Sequence, residues 1–121
     1  MSKSILLVDD TRSMRKMVTA VLQGAGYVVE EAADGAEALE KAQKQVFDLV
    51  VTDHNMPGID GVTLVGLLRA IAAYDDVALI VLSTETGAEL KARGRAAGAT
   101  GWMAKPFDPE KMLSIVRQFI D

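Results

Sequence analysis

Short apolar runs alternate along this chain with segments whose apolar residues recur at helical spacing. The first run covers residues 5–8, and the next segment has apolar residues at i, i+3, i+4, i+7 and i+8, namely Met14, Met17, Val18, Val21 and Leu22. A short continuous apolar run is typical of a buried strand, and the i, i+3, i+4 spacing indicates an amphipathic helix. Gly26 is predicted to lie just past the C-terminus of that helix, where a left-handed backbone is usual.

The same alternation continues along the rest of the sequence. Further strands are predicted at residues 27–29, 47–52, 77–82 and 100–104. The helices between them are predicted at residues 36–44, 64–71 and 88–97. A last helix is predicted to begin at Pro109 with Asp108 as its N-cap, and to bury Met112, Val116 and Phe119.

Strict alternation of strands and helices favours a parallel sheet with helices on both faces. The first, third and fourth runs are almost purely apolar, as expected of central strands, whereas the second and fifth are shorter and mixed, as expected of edge strands. We therefore predict an α/β fold: a doubly wound, five-stranded parallel sheet of order 2-1-3-4-5, which is a flavodoxin-like (βα)5 arrangement.

The composition favours one globular domain and limits its partners. Half of the 121 residues are hydrophobic, enough for one core, and we predict a single domain over residues 1–121. A formal net charge of −4 argues against binding to nucleic acid or an anionic membrane. The chain has no cysteine, so a bound metal would be one that prefers oxygen ligands. Because the first apolar run is too short for a signal peptide or a membrane span, we expect a cytoplasmic protein.

Polar residues directly follow four of the five predicted strands. They are Asp9 and Asp10 after the first strand, Asp53 after the third, Ser83 and Thr84 after the fourth, and Lys105 after the fifth. Ligands of such sheets bind at the carboxyl ends of the strands, so these side chains are expected to share one rim. Three clustered carboxylates repel one another unless a cation joins them, and oxygen ligands on an open rim favour Mg²⁺. A dication, an ammonium and a hydroxyl suit a phosphoryl group.

Four motifs, in this order and spacing, resemble the receiver family of response regulators over the whole chain, and especially the chemotaxis proteins of the CheY type. They are Val8-Asp9-Asp10, the segment from Asp53 to Gly61, Leu82-Ser83, and Lys105-Pro106-Phe107. The resemblance implies that Asp53 accepts a phosphoryl group from a phosphohistidine. It also implies that Asp10 and Asp53 bind Mg²⁺ directly, that Asp9 acts through water, and that Asn55 contributes its backbone carbonyl.

The same resemblance assigns roles to the residues around the acceptor. Ser83 and Lys105 would contact the phosphoryl oxygens, and the Lys105–Pro106 bond is cis in relatives. Asn55 and Glu85 match residues that tune dephosphorylation, although exposed loop polarity explains them equally well. His54 is expected to be a solvated loop residue, facing away from the acceptor, rather than a metal ligand.

The resemblance also predicts a phosphorylation-dependent switch that involves Ser83 and Trp102. Tryptophan is a departure at a position where tyrosine or phenylalanine is commoner, so full inward rotation of the ring stays open. The fourth helix has a thin apolar stripe, and Gly94 within it costs roughly 1 kcal/mol relative to alanine, which predicts a mobile output face. The contact candidates on this face are Lys91, Arg95, Trp102 and Lys111.

The function implied is that of a monomeric signalling switch rather than a turnover enzyme. Its expected partners are a CheA-type histidine kinase, a flagellar motor switch protein and an auxiliary phosphatase. A phosphate sink or shuttle with the same Asp53 chemistry stays open. A flavin-binding protein is disfavoured because the rim is acidic, and an aspartyl phosphatase is disfavoured because position 55 is asparagine rather than an acid.

Overall fold

The computed structural model describes residues 2–85 and 87–120. Five strands form one parallel sheet in the order β2-β1-β3-β4-β5, which confirms the predicted fold. The strands are β1 (Ser4–Val8), β2 (Val28–Ala32), β3 (Leu49–Asp53), β4 (Ala78–Ser83) and β5 (Gly101–Ala104). The helices are α1 (Arg12–Gly24), α2 (Gly35–Lys44), α3 (Gly61–Arg69), α4 (Ala88–Ala97) and α5 (Pro109–Ile120), with a short 3₁₀ turn at Ala72–Tyr74.

The apolar core lies in two layers, one on each face of the sheet. Alternate residues of a strand point to opposite faces, so Ile5 and Leu7 of β1 join α1 and α5 in one layer, whereas Leu6 and Val8 join α2 and α3 in the other. The central strands β3 and β4 are buried along their whole length. This two-sided burial explains why the central strands are nearly uniform in apolar residues.

The predicted helix ends are confirmed at α1 and α5. Gly26 has φ of 99° and donates its N–H to the carbonyl of Gln23, while the N–H of Tyr27 reaches Leu22. This pair of bonds is a Schellman C-cap, which requires a left-handed residue at the position of Gly26. At α5 the carboxylate of Asp108 accepts the N–H of Glu110 at 2.9 Å, so Asp108 is the N-cap.

Several predicted details are wrong. Strand β2 is Val28–Ala32 rather than residues 27–29, because a half-exposed edge strand accepts two glutamates within it. On α5 Met112 and Val116 are buried as predicted, but the third buried residue is Ile120, whereas Phe119 is 38% exposed. Met17 of α1 is likewise 45% exposed. No helix among the described residues is both long enough and apolar enough to cross a membrane.

Candidate functional site

The carboxyl ends of β1 and β3 bring three acidic side chains together. Asp53 is the last residue of β3, and Asp9 and Asp10 directly follow β1. Carboxylate oxygens of all three residues lie within 4.8 Å of one another. Asp9 and Asp53 are almost fully buried, with 1% and 5% of their surface exposed, whereas Asp10 is exposed. The cluster therefore has two buried carboxylates and one that is exposed to solvent.

Lys105 supplies the positive charge of this cluster. Its Nζ lies 2.9 Å from Oδ1 of Asp53 and 3.6 Å from Oδ2 of Asp9. The backbone N–H of Lys105 donates to the carbonyl of Ser83 at 2.8 Å, which ties the start of the β5–α5 loop to the end of β4. The Lys105–Pro106 peptide bond is cis, in agreement with the expectation from relatives. The predicted convergence of Asp9, Asp53 and Lys105 is thus found.

A close approach of α3 to the end of β3 holds Asp53 and His54 in place. Gly61 begins α3, and a Cβ there would lie 2.6 Å from the carbonyl oxygen of Asp53 and 2.7 Å from Cα of His54. Gly61 also donates its N–H to the carbonyl of His54 at 3.0 Å. Since those contacts involve backbone atoms, a side chain at position 61 would displace the end of β3.

The electrostatics of the cluster favour a bound cation. Burial raises the pKa of Asp53 above its ordinary value; Lys105 opposes this shift, and the charges of Asp9 and Asp10 add to it. The ionised form of Asp53 is therefore disfavoured where it stands. Three carboxylates converging from two loops form the oxygen-only donor set that suits Mg²⁺, so these residues fit that ion.

The Ser83 hydroxyl is engaged by its own loop. Ser83 is fully buried, and its Oγ accepts the backbone N–H of Glu85 at 2.9 Å. Asn55, which is exposed, donates its amide to Oγ1 of Thr84 at 3.3 Å and so links the β3–α3 and β4–α4 loops. The roles predicted for Ser83, Asn55 and Glu85 stay predictions, as does the backbone carbonyl of Asn55 as a metal ligand.

The prediction that His54 is a solvated loop residue is wrong, because its side chain is buried. It is 8% exposed, and its Nδ1 accepts the backbone N–H of Val62 at 3.3 Å. Its ring lies 6.3 Å from that of Trp102, centroid to centroid, at an angle of 43°. His54 is not part of the acidic cluster. Its contacts with Val62 and Trp102 show that it packs between α3 and β5.

Trp102 lies on β5 and packs against α4. A Cβ at Gly94 would lie 2.6 Å from Cζ3 of the indole, so the ring occupies the space that a side chain at position 94 would need. The indole Nε1 is buried, and no partner for it exists among residues 2–85 and 87–120. The sequence predicts only that Gly94 lowers the stability of α4 and does not predict that the indole packs against it.

The predicted output residues are only partly brought together. Lys91, Arg95 and Trp102 line one recess of about 150 Å³ with Ala99, Thr100 and Gly101. Lys111 is exposed on α5 and does not line this recess. One contact to the acidic cluster was also missed by sequence reasoning, namely that of Arg15 of α1, which donates to the carbonyl of Asp9.

This sheet order, with an acidic rim and a lysine facing it, defines a receiver domain. Residues 5–117 match the model of the response regulator receiver domain, so the chain belongs to that family and is a phosphorylatable signalling domain of a two-component system. The fold and family expected from the sequence are confirmed.

Among solved structures, the chain is similar to the chemotaxis protein CheY4 of Vibrio cholerae, with 46% identity, a TM-score of 0.95 and coverage of 98% of this chain and 99% of that one. It is 33% identical over 99% of its length to a probable transcriptional regulator, ycf29, of Porphyra purpurea, and spans 57% of that protein. It is 38% identical over 97% of its length to a gliding motility regulatory protein of Myxococcus xanthus, and spans 15% of that protein. The chain thus covers less than two thirds of either curated relative.

Proposed function

We propose that Asp53 is the phosphoacceptor and that the chain, as one receiver unit, signals in chemotaxis through Mg²⁺-dependent phosphorylation by a CheA-type histidine kinase. The observation that carries the proposal is the ion pair of Asp53 with Lys105, set among the oxygens of Asp9 and Asp10. This arrangement presents a carboxylate nucleophile between positive charge on one side and a cation-binding cluster on the other.

In the transfer step, a carboxylate oxygen of Asp53 attacks the phosphorus of a phosphohistidine. The new O–P bond forms an acyl phosphate while the P–N bond breaks, and the imidazole nitrogen leaves with the electron pair. Mg²⁺, held by Asp9, Asp10, Asp53 and the carbonyl of Asn55, would neutralise charge on the phosphoryl oxygens. Lys105 needs little movement to pair with one of those oxygens, because its Nζ already lies 2.9 Å from the acceptor carboxylate.

Phosphorylation raises the negative charge at position 53 from about −1 to about −2 and adds acceptor oxygens. Ser83 Oγ accepts the N–H of Glu85, so its own O–H remains available as a donor. That O–H would donate to the charged phosphoryl oxygens, which are strong acceptors. A shift of this loop alters the space beside Trp102, whose buried Nε1 lacks a partner in the structure described here, residues 2–85 and 87–120. Ser83 and Trp102 would therefore form the switch.

Two exposed side chains, Asn55 and Glu85, would lie beside a water that hydrolyses the acyl phosphate. Asn55 and Glu85 lie on the two loops beside the acceptor, joined through the contact of Asn55 with Thr84. An amide and a carboxylate in these places would set how readily water reaches the acyl phosphate. An auxiliary phosphatase that inserts its own side chain would act over the same loops.

The output partner we propose is a flagellar motor switch protein, which would bind the face containing Lys91, Arg95, Trp102 and Lys111. Support for chemotaxis comes from the 46% identity to a chemotaxis protein over nearly the full length of both chains. The same chemistry without binding to the motor would make the chain a phosphate sink.

The test uses Trp102, the chain's single tryptophan. Its fluorescence should change when a phosphodonor and Mg²⁺ are added together, and Asp53→Asn should abolish the change. A change that persists in Asp53→Asn would overturn the acceptor assignment. Affinity for a motor switch protein is then compared with and without phosphodonor. A phosphorylation-dependent gain supports the switch, and equal affinity in both states supports the sink.

A further inference from the structure

Arg15 of α1 is not one of the three clustered acidic residues, but its guanidinium binds the backbone of one of them, Asp9. Its Nη1 donates to the carbonyl oxygen of Asp9 at 2.7 Å, and its Nε donates to Oε1 of Glu31 on β2 at 3.0 Å. The side chains of Arg15 and Glu31 are 15% and 21% exposed, so both are shielded from solvent. A single guanidinium therefore bridges the β1–α1 loop and the edge strand.

The contact to Asp9 fixes one particular peptide group. The carbonyl of Asp9 belongs to the peptide bond that joins Asp9 to Asp10, and a peptide group is planar. The other side of Asp9 is held as well, because its N–H donates to the carbonyl of Ala32 at 3.1 Å and its Oδ1 accepts the N–H of Thr11 at 2.8 Å. Arg15 thus adds a further bond to Asp9 and, through the planar peptide group, restricts where Asp10 can lie.

We propose that Arg15, held in place by Glu31, is a positioning residue for divalent-cation binding: it orients the Asp9–Asp10 peptide so that both carboxylates face the cation. The inference rests on the proposed Mg²⁺ dependence and adds residues outside the carboxylate cluster to it. Groups that orient metal ligands from behind typically change metal affinity by about 10–100-fold when removed.

The charge of Arg15 and its hydrogen bond to Asp9 predict opposite effects on Mg²⁺ affinity when the guanidinium is removed. Arg15 is a cation near a cation site, so its removal should tighten Mg²⁺ binding if only its charge acts. Its removal should weaken Mg²⁺ binding if its hydrogen bond to Asp9 acts. Lys16 offers a matched comparison, because its Nζ pairs with the other oxygen of Glu31 at 3.2 Å, is largely exposed, and makes no hydrogen bond to Asp9.

The experiment is a calorimetric titration of Mg²⁺ into the wild-type protein, Arg15→Met and Lys16→Met. We expect the Kd for Mg²⁺ to rise about tenfold in Arg15→Met and to stay within about twofold of wild type in Lys16→Met. Binding by Arg15→Met that equals or exceeds that of wild type would overturn the inference. Absence of Mg²⁺ binding by the wild-type protein would instead overturn the proposed function, so the two failures are distinguishable.

A kinetic measurement separates positioning from a general loss of structure. In labelling by acetyl phosphate, Arg15→Met should need a higher Mg²⁺ concentration for half-maximal rate, yet reach the wild-type rate at saturation. A lower saturating rate with unchanged half-saturation would contradict the inference.

If Arg15→Met does not fold, Glu31→Gln tests the same bridge without removing the guanidinium. Glu30→Gln is its control, because Glu30 pairs with Lys41 rather than with Arg15 and carries the same charge. Mg²⁺ binding should weaken more in Glu31→Gln than in Glu30→Gln. Equal effects of the two changes would show that only charge acts, against the inference.

Discussion

Gly94 and Trp102 pack against each other, so substitutions at the two positions are expected to be energetically coupled. In an exposed helix interior, replacing glycine by alanine gains about 1 kcal/mol. At position 94, however, the new methyl group would lie 2.6 Å from Cζ3 and 3.2 Å from Cε3 of the indole, so the ring has to move. Overpacking of this kind costs about 1–3 kcal/mol. Gly94→Ala should therefore lower the free energy of unfolding by as much as about 2 kcal/mol in the presence of the indole.

Removal of the indole should reverse the sign of that effect. In a Trp102→Ala background the methyl group at position 94 has no ring to displace, and Gly94→Ala should raise the free energy of unfolding by about 1 kcal/mol. The coupling between the two changes is then about 1–3 kcal/mol, well above what independent sites show. Urea unfolding followed by far-ultraviolet circular dichroism measures all four proteins, since it does not depend on tryptophan.

Gly66 of α3 is a matched control for this cycle. It also lies within a helix, but a Cβ there would meet only the Cβ of Ala97, at an ordinary distance of 4.0 Å. Gly66→Ala should therefore stabilise the protein equally with and without the indole. If Gly94→Ala stabilised both backgrounds by the same amount, the packing of Trp102 on α4 would be refuted.

Three further changes test other parts of the structure. Asp60→Ala removes the N-cap of α3, which accepts the N–H of Thr63 at 2.8 Å, and should cost about 1 kcal/mol in urea unfolding at pH 7. Burial alone would raise the pKa of Asp60, but the Thr63 hydrogen bond outweighs it and lowers the pKa below the ordinary 3.8. This loss should therefore shrink as the pH falls below 3.8 and through the lowered pKa, and a loss that does not change over that range would contradict the assignment. Arg69 donates to backbone carbonyls at Tyr74, Val77 and Gly98. Arg69→Met should lower the free energy of unfolding by about 3 kcal/mol, and a loss below about 1 kcal/mol would show that water replaces these bonds. Lys105→Met should tighten Mg²⁺ binding several-fold by calorimetry and slow labelling by acetyl phosphate, because the ammonium that pairs with Asp53 both competes with the cation and stabilises the transferred group; unchanged Mg²⁺ affinity would argue against that competition.

The sheet and the acidic rim were predictable because both depend on strand order. Burial of β3 and β4 along their whole length, and of β1 along nearly all of it, leaves apolar runs that the edge strands lack. The order of the strands then places Asp9, Asp53 and Lys105 at one edge of the sheet. These features follow from backbone topology, which the alternation of apolar and polar residues encodes directly.

What escaped prediction depends on contacts between side chains distant in the sequence. His54 follows Asp53 at the start of a loop whose sequence suggests exposure, yet it is buried against the N–H of Val62 and the ring of Trp102. From the sequence, Gly94 indicates only a less stable helix, whereas in the structure it makes room for the indole of Trp102 on β5. Arg15 resembles a solvated helix residue until Glu31 and the Asp9 carbonyl are seen beside it. No local pattern encodes such pairings.

Phosphorylation of Asp53 is the central claim, and intact-mass spectrometry tests it most directly. The wild-type protein and Asp53→Asn are incubated with acetyl phosphate, each with Mg²⁺ and with a chelator. We predict that the wild-type protein gains the mass of one phosphoryl group only when Mg²⁺ is present, and that Asp53→Asn gains none. Equal labelling of Asp53→Asn, or labelling of the wild-type protein that ignores the chelator, would contradict the account.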